Sequence, residues 1–162
     1  MVEVEVFDAG RSGGGSAAGG AANRAAAAGT DARSPTEPEV RRLCRLATAA
    51  AGVHDGHLAV AFVSAERIAE LNARYRKRAR ATDVLAFPID GAPAPRGQGP
   101  DAEAAGLAGT RELGDVVICP ELASDMREAI VHGVLHLVGF DHEADDGEML
   151  ALQRRLLAEV RA

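Results

Sequence analysis

Three histidines, His132, His136 and His142, fall within the segment Val131–His142, which reads VHGVLHLVGFDH. On a helix, residues four apart lie one above the other, so His132 and His136 can aim their ring nitrogens at one point. Gly139 follows where a glycine can take the left-handed conformation, end the helix and turn the chain back, bringing in His142 as a third ligand. Three neutral imidazoles suit zinc. Three protein ligands also leave the fourth tetrahedral position open to water, with a pKa of roughly 7, as in hydrolytic rather than structural zinc sites. A lone histidine on an apolar helix face is ordinarily a core or surface residue. Here Val134, Leu135, Leu137, Val138 and Phe140 already supply the apolar face, so the histidines are expected to bind one zinc ion.

The spacing matches the metzincin pattern H-E-x-x-H-x-x-G-x-x-H at the histidines and the glycine. At the glutamate position, however, the chain has Gly133, which cannot take a proton from water. Zinc peptidase chemistry thus lacks its general base. The whole stretch instead resembles the YbeY family of endoribonucleases and ribosomal RNA maturation factors. Their signature H-G-x-L-H-L-x-G-[YF]-D-H is matched at His132, Gly133, Leu135, His136, Leu137, Gly139, Phe140, Asp141 and His142. A second family stretch, L-N-x-x-Y-R-x-K-D-x-P-T-D-V-L-S-F-P, is matched at Leu71, Asn72, Tyr75, Arg76, Thr82, Asp83, Val84, Leu85, Phe87 and Pro88. The chain departs from it at Lys77-Arg78, at Ala81 and at Ala86. The resemblance implies a role for Arg76 in ribonuclease activity, where a guanidinium can hold a phosphate bidentately as charge develops.

Around these residues the chain reads as a series of positioning elements. Val2, Val4 and Val6 alternate with Glu3 and Glu5 as in a half-buried strand. Thr36 and Glu39 have capping-box spacing before a helix with Val40, Leu43, Cys44, Ala47 and Ala51 on one face. His57–Val63 is expected to be a strand, with His54 and His57 as solvated histidines in the preceding turn. Ser64 caps a helix whose buried stripe is expected to be Ile68, Leu71 and Tyr75. Asp83–Ile89 and Gly114–Cys119 read as strands, and a helix is expected from Glu121 into the histidine motif. Glu143, Asp145, Asp146 and Glu148 suit the start of a closing helix with Met149, Leu152, Leu156 and Val160 as its packing stripe. The order predicts an α+β domain with a small mixed sheet of about four strands, one face covered by helices, and the zinc site on a central helix.

A single domain is expected over 1–162, with a flexible Gly/Ala-rich insertion at 9–31 and a mobile loop at 91–112. The net charge of −6 gives no global basic field, so any RNA grip must be local. Arg74, Arg76, Lys77, Arg78 and Arg80 crowd together at a helix end, more cations than the helix dipole calls for, and are candidate phosphate contacts. Cys44 and Cys119 stand apart, as reduced cytosolic thiols do. No run is apolar enough to span a membrane and no secretion signal opens the chain, so a cytoplasmic protein is expected.

The resemblance implies a single-strand-specific, zinc-dependent endoribonuclease in late small-subunit ribosomal RNA maturation and ribosome quality control. Its partners would be ribosomal RNA and the small ribosomal subunit, with neither membrane nor DNA expected. A zinc metallopeptidase-like hydrolase and a non-catalytic ribosome assembly factor with a structural metal are the alternatives. No general base is evident, leaving attack by water or by a ribose 2′-hydroxyl open.

Overall fold

A computed structural model describes residues 1–8, 34–77, 81–89 and 111–161. Strand β1 (Val2–Asp8) is followed by helix α1 (Glu37–Ala50), β2 (Gly56–Phe62), α2 (Ala65–Arg76), β3 (Val84–Pro88), β4 (Glu112–Ile118), α3 (Met126–Leu137) and α4 (Glu148–Arg161). This is the α+β order expected from the hydrophobic periodicities. The sheet is mixed, in the order β1-β2-β4-β3, with β1, β2 and β4 parallel and β3 antiparallel to β4.

Alternation along the strands sends successive side chains to opposite faces. One set, including Val2, Val4, Leu58, Val60, Val116 and Ile118, packs with the buried faces of α1, α3 and α4 in the main core. The other set, Leu85 and Val117, joins Val63, Ile68 and Cys119 in a second cluster, so α2 covers part of the face expected to be bare. Helix α3 is central, packed against α1, α4, β3 and β4. Arg127 on α3 pairs with Glu39 on α1 at 2.6 Å, which accounts for Glu39 not completing the expected capping box: Thr36 is the N-cap, but its side chain makes no cap hydrogen bond. Arg41 and Arg45 on α1 donate to the backbone oxygens of Val4 and Val2 on β1, an edge strand of the sheet.

Several boundaries differ from expectation. The helix expected from Glu121 begins at Met126, because Asp125 accepts from the Arg127 and Glu128 N–H groups and so fixes the N-terminus there. The loop expected over 91–112 does not extend through its last two positions: the Arg111 carbonyl accepts from His57 N–H at 2.8 Å, and Glu112 opens β4. The rest of that loop and the whole of the 9–31 insertion lie outside the described residues. Cys44 and Cys119 are buried free thiols, and burial pushes Cys44 up to about 12, leaving it protonated at neutral pH.

His54 is exposed as expected, but His57 is not a solvated turn residue. It lies on β2, with Nδ1 2.9 Å from Glu112 and Nε2 3.6 Å from Glu5, and the Glu112 hydrogen bond chiefly raises its pKa. A raised folded-state pKa means that the folded protein binds the proton more tightly. The resulting stabilisation is full below the ordinary histidine value and fades as pH rises through the raised one. Denaturant unfolding should therefore show His57→Gln less stable than the parent at pH 6, with the gap narrowing at pH 9.

Candidate metal centre and flanking clefts

Helix α3 places His132 and His136 one turn apart on its partly exposed side, while Ala129, Ile130, Val131, Gly133, Val134, Leu135 and Leu137 are buried. The helix ends as the glycine spacing predicts. Gly139 has φ 104°, and the Phe140 N–H returns to the Leu135 carbonyl at 3.0 Å, which redirects the chain. Asp141 accepts from the Glu143 N–H at 3.0 Å and shapes the next turn, from which His142 reaches back. Asp145 accepts from the Gly147 and Met149 N–H groups, so this acidic stretch does serve helix α4, and Met149 is a core residue.

The three imidazoles converge. His136 Nε2 lies 3.2 Å from His132 Nε2 and 3.1 Å from His142 Nδ1, and all three ligand atoms lie within 4.8 Å of one another. Nitrogens bound at 2.0–2.1 Å to a tetrahedral ion sit about 3.3–3.4 Å apart, so the donor set fits a small divalent ion of the zinc type. Burial, then the neighbouring His132 and His142, hold His136 below its ordinary pKa. It therefore stays neutral, with a lone pair to donate, to lower pH than a free histidine.

One residue that helps build this site escapes sequence reasoning. Gln153, buried on α4, accepts from His132 Nδ1 at 2.8 Å, and its amide donates to Glu128 at 3.2 Å. Because the Glu128 carboxylate can only accept, the Gln153 oxygen faces His132, which makes Nδ1 the protonated nitrogen and leaves Nε2 free. The available signal was a polar residue inside the apolar stripe of Met149 and Leu156. Gln153→Leu is expected to weaken metal binding by roughly 10- to 100-fold with the fold retained, measured by competition against a chelator.

Gly133 lies against the sheet. A Cβ at this position would stand 2.5 Å from Val116 Cγ1 and 2.9 Å from Val84 Cγ2. The close approach of α3 to β3 and β4 therefore leaves no room for the glutamate of a peptidase.

Beside the histidines is a cavity of about 170 Å³ lined by Asn72, Arg76 and Thr82, by β3 from Val84 to Ala86, and by His132, Gly133 and His136. Arg76, at the end of α2, donates from Nη2 to the Ala86 carbonyl at 3.2 Å, tying its guanidinium to β3. The buried Asn72 is a second lining residue to which the sequence reading gave no role. Arg74 and Lys77 are exposed and line neither this cavity nor the cleft beyond it; Lys77 ends α2 in the left-handed conformation. Arg78 and Arg80 lie outside the described residues. Tyr75, expected in the buried stripe of α2, is instead 59% exposed. It stands beside Arg76 near the helix end, past the stretch where Ile68 and Leu71 meet the second core cluster.

The family model described as Endoribonuclease YbeY matches residues 28–161. Relatives named Endoribonuclease YbeY include one from Salinispora tropica, 41% identical over 119 residues, covering 65% of this chain and 74% of the relative. Another, from Rubrobacter xylanophilus, is 36% identical over 132 residues and covers 78% of this chain and 86% of the relative. A third, from Pseudomonas entomophila, is 37% identical over 145 residues, with 81% and 84% covered.

Proposed function

From the premise that this chain belongs to the YbeY endoribonuclease family, we propose that it is a single-strand-specific endoribonuclease that depends on one zinc ion held by His132, His136 and His142. It acts in late small-subunit ribosomal RNA maturation and ribosome quality control in the cytoplasm. Ribosomal RNA and the small ribosomal subunit are its partners. The chain works as one domain, with the 9–31 insertion and the segment from 91 as additions to it. The observation that carries this reading is the convergence of three imidazole nitrogens beside a cavity that Arg76 also lines.

When bound, the ion supplies Lewis-acid polarisation at a phosphoryl oxygen. The chain's own residues do the rest. Arg76, steadied by the Ala86 carbonyl, receives the scissile phosphate and stabilises its developing negative charge. Gln153 holds His132 in the metal-binding tautomer. Arg74, Lys77, Arg78 and Arg80 contact the backbone of the RNA without reading its sequence. Two routes are distinguished by their products: attack by a ribose 2′-hydroxyl leaves a cyclic or 3′-phosphate, whereas a 5′-phosphate excludes it.

The test is cleavage of an unpaired ribosomal RNA fragment by zinc-loaded protein, before and after chelation, beside Arg76→Ala. The variant is expected to keep its metal and fold while kcat falls roughly 10²- to 10³-fold, as on removal of one charge-stabilising donor. Cleavage that survives both chelation and Arg76→Ala overturns the proposal.

A further inference from the structure

Arg76 and Ala86 form walls of two spaces. Beyond the small cavity at the histidines lies a more open cleft of about 550 Å³ lined by Tyr75, Arg76, Ala86, Phe87, Pro88 and Glu143. Its character is different. The Tyr75 and Phe87 rings meet edge to face with centroids 5.3 Å apart, and the Arg74 guanidinium lies 5.6 Å from the Tyr75 centroid. An aromatic ring more than half exposed on a charged helix end has no core role to explain it.

We propose that this cleft is a nucleobase subsite, in which Tyr75 stacks an unpaired base of the nucleotide adjoining the phosphate held at Arg76. This rests on the ribonuclease reading and says how the same site takes its substrate. Three observations favour a base over a second phosphate. The rings offer a π surface, on which any base stacks. Glu143 repels a phosphate but accepts from the N–H donors on a base edge. Arg76 belongs to both spaces, so a phosphate at Arg76 has one neighbour directed toward the histidines and the other toward Tyr75. A base can enter only when it is unstacked from a partner strand, which selects single-stranded RNA by geometry. Tyr75 is thus a positioning and specificity residue outside the reacting centre.

The chain has one tyrosine and no tryptophan, so its intrinsic fluorescence reports on Tyr75 alone. Full-length zinc-loaded protein is titrated with an unstructured 2′-O-methyl oligouridylate and with an abasic oligonucleotide of the same length. Binding of each is followed independently by anisotropy of an end label. The base-bearing probe is expected to quench Tyr75 and the abasic one to leave it unchanged. Tyr75→Ala should raise KM for unpaired RNA roughly tenfold, keep the metal and leave kcat within about twofold, whereas Tyr75→Phe should restore KM. Equal quenching by both probes, or cleavage with unaltered KM in Tyr75→Ala, overturns the subsite while the ribonuclease reading stands. Failure of wild-type protein to bind either probe or cleave RNA overturns both.

Discussion

His136→Ala protein is expected to lose its metal and, with it, at least about three orders of magnitude of RNA cleavage, the scale of several kcal/mol of Lewis-acid stabilisation. The position is the most sensitive of the three because His136 Nε2 lies next to the ligand atoms of both other histidines. Its loss removes the central donor and leaves His132 and His142 without a common neighbour. The fold should survive, since the side chain is only partly buried and helix α3 is anchored by its apolar residues. The measurement is metal content by elemental analysis together with cleavage of a ribosomal RNA fragment carrying the small-subunit 3′ end. Cutting by wild type and not by the identically purified variant ties the activity to the histidines and excludes a contaminating nuclease. If neither cuts while wild type retains its metal, the assembly-factor alternative moves ahead.

The second large effect concerns stability. Gly133→Glu would recreate the metzincin pattern at the level of sequence, yet it is expected to destabilise the domain by about 3 kcal/mol or more and to give no peptidase activity. The first atom of the side chain would already lie 2.5 Å from Val116 and 2.9 Å from Val84, so α3 must lift from the sheet. The carboxylate would then enter a buried position with its charge unpaired. Set against a total stability of roughly 5–15 kcal/mol, this is a severe loss. Even Gly133→Ala should cost about 1–3 kcal/mol of unfolding free energy, read as a lower denaturation midpoint. A stable Gly133→Glu protein that cleaves peptides in a chelator-sensitive way would overturn the packing account and revive peptidase chemistry.

The candidate metal centre was legible because its three histidines are close in the chain. His132 and His136 need only helical periodicity, and His142 only the turn at Gly139, whose positive φ the residue type anticipates. The order of strands and helices was legible for a similar reason: alternation and helical stripes are local patterns, and each of the eight elements falls where one was read. What sequence reasoning missed depends on partners far along the chain. Gln153 acquires its role from a histidine on another helix, and His57 from Glu112 on the neighbouring strand. Tyr75 has the spacing of a core residue, but α2 has passed the edge of its packing partner by that point, so periodicity overstates its burial. Gly133 reads as a lost catalytic glutamate until the sheet beneath it is seen.

The pairing of β1 also bears on the making of the protein. Val2 leaves the ribosome well before its partner in the sheet, Gly56, and β2 in turn needs β4, which begins only at Glu112. A nascent chain therefore carries an alternating apolar strand whose sheet is not complete until β4 has been made. At an elongation rate of about 5–20 residues per second this wait lasts several seconds. The alternating glutamates Glu3 and Glu5 keep one side of that waiting strand charged, which discourages two nascent chains from joining through it. Helix α1 follows β1 in the chain, and its Arg41 and Arg45 take up the Val4 and Val2 backbone oxygens, which leaves fewer acceptors on that edge open to another chain.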